Sequence, residues 1–135
     1  MRCEILPVGC LKDYQYVVIF SRYEGRYLFS RHRERETWET QGGHVEAKET
    51  PTEAAKRELY EESGAVEFTL QPLCDYQVSR GDDQSNGMVF AAEITKLERL
   101  PSSEMEEVGL FEALPENLTY PEITPILFAH LEETL

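Results

Sequence analysis

Residues 43–65 read GHVEAKETPTEAAKRELYEESGA, and this stretch decides where the central helix lies and what it carries. Thr50-Pro51-Thr52-Glu53 has the S/T-x-x-E pattern of a capping box, with proline at the first helical position, where its missing N–H costs nothing. Ala54 to Leu59 are mostly good helix formers, and Gly64 can adopt the left-handed conformation that ends a helix. The pattern therefore predicts a helix from about Pro51 to Ser63.

At about 100° per residue, Pro51, Ala54, Ala55 and Leu59 fall on one half of the helix, the half that must face a core. Glu58, Glu61 and Glu62 fall there too, while Thr52, Glu53, Lys56, Arg57 and Tyr60 occupy the other half. Like charges at i, i+3 and i+4 oppose helix formation, and partial burial raises the cost. A hard divalent cation relieves both: Mg²⁺ takes oxygen ligands at roughly 2.1 Å and is commonly shared between a few carboxylates and a substrate phosphate. The alternative is a solvated acidic helix in an acidic protein. The spacing of the surrounding residues argues against it.

That spacing is G-x5-E-x7-R-E-U-x-E-E-x-G-U, with U aliphatic, and it is matched by Gly43, Glu49, Arg57, Glu58, Leu59, Glu61, Glu62, Gly64 and Ala65. The run resembles the signature of the Nudix hydrolases, sharply over about residues 38–65. The family often has Pro-Gly-Gly entering this box, where this chain has Gln41-Gly42-Gly43. The two glycines still allow a tight path, so altered loop rigidity is expected, with metal binding kept.

The resemblance implies an α/β/α sandwich with a mixed sheet and a Mg²⁺- or Mn²⁺-dependent enzyme. Glu58, Glu61 and Glu62 would be the metal ligands, and Arg57 and Glu49 would pair to brace the loop against the helix. The residue pattern agrees, since Arg57 lies away from the three acids yet can fold toward the preceding loop. The Gly42-Gly43 backbone would pass close to the metals, with Gly43 offering a carbonyl. The general base stays unassigned, because family members use different carboxylates. Many relatives add an acid from a later loop; Glu104 stands at the usual distance before the apolar run Val108–Phe111, Glu107 is second, and an ordinary exposed acidic loop is the alternative.

A net charge of −13 repels extended nucleic acid and anionic membrane surfaces but leaves room for a compact nucleotide, given a metal and local arginines. Arg22, Arg26, Arg31, Arg33 and Arg35 are five of the thirteen Lys and Arg residues, packed just before the box. A solvated hairpin is the ordinary reading of each; as a group, one or two should face phosphates, Arg31 first. His44 is the histidine nearest the chemistry and, with Gly42, a further substrate-binding candidate.

Substrate motifs narrow the field by elimination. ADP-ribose specialists tend to carry a proline where this chain has Ser79-Arg80-Gly81, and dinucleoside polyphosphate specialists a tyrosine further along than Tyr76. A nucleoside or deoxynucleoside triphosphate, normal or oxidised, is left, cleaved to the monophosphate plus pyrophosphate. Two other classes share the fold. An isopentenyl diphosphate isomerase needs a cysteine near the strand entering the box, and residues 30–45 have none; a ligand-sensing module usually loses box glutamates and is fused to another domain.

The 135 residues suit a single domain over 1–135, as a monomer or homodimer. With no apolar run of roughly 20 residues and no hydrophobic leader at Met1–Leu6, a cytoplasmic location is expected. Cys3, Cys10 and Cys74 lack zinc-site spacing and read as reduced thiols in core or strands. Tyr16–Phe20 and Arg26–Ser30 around Glu24-Gly25 predict a hairpin, and Glu36–His44 a strand feeding the box. Val66–Val78 and Met88–Ile94 predict strands around a polar loop, Ser79–Gly87. Pro121–Leu131 predicts a helix with Ile123, Ile126, Leu127 and Leu131 on one face.

Overall fold

Glu24 and Gly25 both take positive φ, 52° and 80°, the turn whose twist suits two antiparallel strands. They close the expected hairpin, β2 (Tyr16–Tyr23) with β3 (Arg26–His32). In the computed structural model, which describes residues 1–134, these strands follow β1 (Arg2–Leu6) and lead into two short strands, β4 (Trp38–Glu39) and β5 (Gln41–His44). Then come the helix α1 (Pro51–Ser63), a long ribbon of β6 (Ala65–Arg80) and β7 (Asp83–Leu97), strand β8 (Met105–Phe111) and helix α2 (Thr124–Thr134).

The helix α1 forms as its sequence dictates. Thr50 Oγ1 accepts from the Glu53 amide at 3.1 Å while the Glu53 carboxylate accepts from the Thr50 amide at 2.9 Å, and Gly64 ends the helix at φ 84°. A Cβ at Gly64 would stand 2.5 Å from the Glu98 carbonyl oxygen, so the position also needs glycine for space.

The sheet runs β1-β6-β7-β2-β3-β4, with β5 on β2 and β8 on β3. It is mixed, because β2 and β7 are parallel while the other pairs are antiparallel. Ala54, Ala55 and Leu59 of α1 are fully buried against Val17, Ile19, Leu28 and Phe90 on one face; Leu127, Phe128 and Leu131 of α2 pack on Phe20, Tyr76, Val78 and Val89 on the other. This is the α/β/α sandwich that the resemblance implied. No described helix is long and apolar enough to cross a membrane.

Several expectations change. The polar segment Ser79–Gly87 is mostly strand, because cross-strand pairing runs out to Arg80 and Asp83 and leaves only Gly81 and Asp82 to turn. Asn86 stays ordered there by accepting from the Gln15 amide and donating to the Asp13 carbonyl. The segment Glu36–His44 is two strands, since β4 pairs with β3 and β5 with β2. The last helix begins at Thr124, so Thr124 and Phe128 join Leu127 and Leu131 in the core, Ile123 precedes the helix and Ile126 is exposed. Cys74 is buried as expected, but Cys10 lies exposed in the β1–β2 connection.

Candidate active site

The site grows from the place where the edge of β2 passes from one partner to another. Residues Ser21–Tyr23 pair with β3, but Tyr16–Ile19 pair with β5, so the sheet divides between them. Gln41, with no solvent exposure, ties the division: its amide nitrogen donates to the Leu28 carbonyl at 3.2 Å and to Ser30 Oγ at 2.9 Å, and its oxygen accepts from Ser21 Oγ at 2.6 Å. A proline could make none of these bonds. Gln41 thus has a structural reason, and Gly42 and Gly43 follow it directly under α1.

A side chain at either glycine would meet an obstacle, backbone at Gly42 and the end of a side chain at Gly43. A Cβ at Gly42 would lie 2.3 Å from the Val17 carbonyl oxygen, and one at Gly43 would lie 2.8 Å from the Glu58 carboxylate. The two substitutions should therefore separate. Gly42→Ala meets backbone and should destabilise the fold by about 2 kcal/mol or more, whereas Gly43→Ala meets a side chain and should lower turnover with the denaturation midpoint little changed. Parallel denaturant titrations and rate measurements check this; equal midpoints for the two variants would contradict the geometry.

The Gly42 amide donates to Glu62 Oε1 at 2.8 Å, and Ser30 Oγ donates to the Glu62 carbonyl at 2.8 Å. Burial pushes the Glu62 carboxyl up to about 9; the Gly42 N–H works against that shift, and the charges of Glu58, Glu39 and Glu61 add to it. Burial also raises Glu58, although Arg57 opposes the shift. Glu61 is about half exposed.

Arg57 folds back to Glu49 as expected, Nε and Nη2 donating to its two oxygens at 2.8 and 2.9 Å, and Nη2 also donates to the His44 carbonyl at 3.1 Å. It does not stay away from the three acids. Nη1 donates to Glu58 Oε1 at 2.6 Å and stands 3.6 Å from Glu61, because the guanidinium lies between loop and helix and reaches both. The Arg57 hydrogen bonds, helped by the Glu46 amide, hold Glu49 down at about 2.

The other candidates scatter. Arg31 alternates with Ser30 along β3, so it points to the face away from α1 and pairs with Glu107 at 2.6 Å and Glu106 at 3.4 Å. Neither Arg31 nor Glu107 meets the box acids. Glu104 lies beside His32 at 3.7 Å, just before β8 and well exposed. His44 is exposed, its ring 4.5 Å from that of Tyr16.

A cleft of about 290 Å³ opens on the α2 side of the sheet, and Gly42 and Gly43 form part of its wall. Tyr16, Tyr76 and Tyr120 give it aromatic surface, while Glu39, Ser85 and Thr124 give it polar groups. Sequence reasoning missed Glu39, Ser30 and Tyr120. For Glu39 a signal existed, an acid beside Trp38 in a strand leading to the box; for the others none did.

The donor set suits a hard divalent cation. Glu58, Glu61 and Glu62 are carboxylates on adjacent turns, Glu58 and Glu62 are half-buried, and Glu62 has no cationic partner among the described residues. Among the described residues, no three His, Cys, Asp or Glu side chains already stand at ligand spacing, and Arg57 holds Glu58 and lies near Glu61.

Comparison with known proteins places this geometry. The family model described as NUDIX domain matches residues 12–125. The Bacillus subtilis (strain 168) protein named "Putative 8-oxo-dGTP diphosphatase YtkD" is 36% identical over 107 residues, which are 78% of this chain and 66% of that protein. The chain thus spans just under two thirds of that relative's length. The crystal structure of a mutant of the Bacillus subtilis pyrophosphohydrolase BsRppH is similar at 28% identity and a TM-score of 0.82, over 98% of this chain and 90% of that one. A NUDIX-family hydrolase from Clostridium perfringens shares the fold at 19% identity and a TM-score of 0.68, over 93% of this chain and 100% of that one. With the box acids on α1, their brace in Arg57 and Glu49, and a model match over most of its length, the chain belongs to the NUDIX domain family.

Proposed function

We propose that this protein is a Mg²⁺- or Mn²⁺-dependent pyrophosphohydrolase that cleaves a nucleoside or deoxynucleoside triphosphate, normal or oxidised, to a monophosphate and pyrophosphate. The observation that carries this reading is the double role of the Gly42-Gly43 segment, which touches the carboxylates of Glu58 and Glu62 and also lines the cleft. A nucleoside lying in the cleft therefore presents its phosphate chain to the acids of α1. The relative named for 8-oxo-dGTP and the pyrophosphohydrolase of similar structure support the same chemistry.

Nudix proteins generally use divalent cations. Glu58, Glu61 and Glu62 would hold the cation, with the Gly43 carbonyl as a further oxygen donor, while Glu104 would join them only by leaving its place beside His32. When bound, the cation neutralises charge on the phosphate oxygens and lowers the pKa of water. Arg57 and Glu49 orient Glu58 between loop and helix, and Ser30 and the Gly42 amide fix Glu62. Tyr16, Tyr76 and Tyr120 offer aromatic surface to a base.

A panel of nucleotides incubated with Mg²⁺, with products separated by chromatography, tests the reading. A monophosphate plus pyrophosphate is expected, with turnover abolished by a chelator. Heavy-oxygen water should label one of the two products and identify the phosphorus attacked. Orthophosphate with nucleoside diphosphate as sole products, or binding without turnover, would overturn it.

A further inference from the structure

The cleft has aromatic and acidic walls, and no lysine, arginine or histidine lines it among the described residues. A triphosphate brings several negative charges to a cleft whose wall carries Glu39, and whose Gly42-Gly43 segment touches Glu58 and Glu62, in a chain of net charge −13. A protein cation within reach of the phosphates would offset part of that charge.

Four of the five arginines clustered before the box are badly placed. Arg22 donates to the Gly25 carbonyl at the hairpin turn, and Arg26 flanks the same turn. Arg31 is held by Glu106, Glu107 and the Arg35 carbonyl. Arg33 makes no side-chain hydrogen bond or ion pair with a cleft residue among those described. Arg57, outside this cluster, is filled by box carboxylates and the His44 carbonyl.

Arg35 differs. Its only side-chain bond among the described residues is Nη1 to Glu39 Oε2 at 3.3 Å, its side chain is 45% exposed, and Glu39 is part of the cleft wall. A guanidinium has five N–H donors, so four remain to engage a ligand. Tyr120 shares that wall with Glu39, Gly42 and Gly43, so the guanidinium bonded to Glu39 stands beside the wall that the box loop completes.

The geometry points to Arg35 as the residue that binds the phosphate chain of the substrate, held at the cleft mouth by Glu39 until the substrate arrives. This rests on the phosphate-bearing substrate proposed above. Arginine suits the task because its planar fork can pair two phosphate oxygens while a further N–H keeps Glu39.

The test measures equilibrium binding of α,β-methylene triphosphates of the four bases, with Mg²⁺ present, alongside the matching nucleosides. In Arg35→Gln, triphosphate affinity should fall by roughly tenfold or more, nucleoside affinity should hold, and Arg35→Lys should recover part of the loss. Arg2→Gln, an equal charge change on the far edge strand β1, should leave both affinities as they were. Unchanged triphosphate binding in Arg35→Gln, or parallel losses for triphosphate and nucleoside, would overturn the assignment and leave Arg35 as a support for Glu39. If the unaltered protein binds no triphosphate, the functional reading itself falls, a result distinct from a loss confined to the variant.

Discussion

Replacing Glu62 with glutamine is expected to lower turnover by about two to three orders of magnitude while leaving the fold intact or firmer. The two halves of that expectation have one cause. Glu62 is a largely buried carboxylate beside Glu58, Glu39 and Glu61, and among the described residues only the Gly42 amide offers its side chain a hydrogen bond. Such a group is costly to ionise in a fold without a cation, yet its charge is what a cation would bind. Glutamine keeps the size and removes the charge.

The sign of the pH dependence follows. The Glu62 carboxyl is raised from 4.5 to about 9, so the native metal-free protein holds a proton that the unfolded chain has lost. Stability from this group is full below pH 4.5 and declines as pH rises toward 9. Denaturant midpoints in chelator between pH 5 and 9 should show a decline that Glu62→Gln lacks. Turnover in Glu62→Gln equal to that of the unaltered protein at saturating Mg²⁺ would remove Glu62 from the metal site.

Arg57→Ala should produce the largest loss of stability among the polar residues of the site, about 3 kcal/mol. Glu49 and Glu58 are 14% and 12% exposed, so removing the guanidinium leaves two poorly solvated carboxylates without a counter-charge and the His44 carbonyl without its donor. Arg57→Lys should recover only part, since an ammonium cannot span both oxygens of Glu49 and still reach Glu58. Acid supplies a second check. Glu49 is lowered from 4.5 to about 2, so its contribution is complete above pH 4.5 and is lost as pH falls toward 2. The stability gap between Arg57→Ala and the unaltered protein should narrow over that window. A gap independent of pH would show that the loss comes from packing of the arginine stem.

The parts of this architecture legible in the sequence are those written in local chemistry. The capping box, the proline at the first turn and Gly64 set the bounds of α1 to the residue, because each acts within a few positions of itself. The Glu24-Gly25 hairpin is legible for the same reason. What is not legible depends on register. Arg31 stands just before the box in sequence, but a strand reverses its side chains at each residue, and only pairing with β8 and the bond from Ser30 to α1 decide which face it takes. Ser79–Gly87 reads as a loop because Asp, Ser, Asn and Gly favour turns in isolation, whereas here a paired neighbour carries them as strand.

Gln41 belongs to a third kind. Its three partners lie on β2 and β3, distant in sequence, and nothing near residue 41 announces a buried amide. Glu39 and Tyr120 likewise gain meaning only when the cleft brings residues 39 and 120 together.

The end of α1 has a consequence for how the molecule opens. The Gly64 carbonyl accepts from the Glu98 amide at 2.9 Å, and the Glu98 carbonyl in turn fills the space beside the Gly64 Cα. The last turn of α1, which carries Glu61 and Glu62, is thereby clasped by the chain just beyond β7. Fraying of that turn requires the end of the ribbon to lift with it, so the two segments form one cooperative unit whose amides should be shielded from solvent to the same degree. The helix that bears the acids thus draws its rigidity from a strand that supplies none of the candidate ligands.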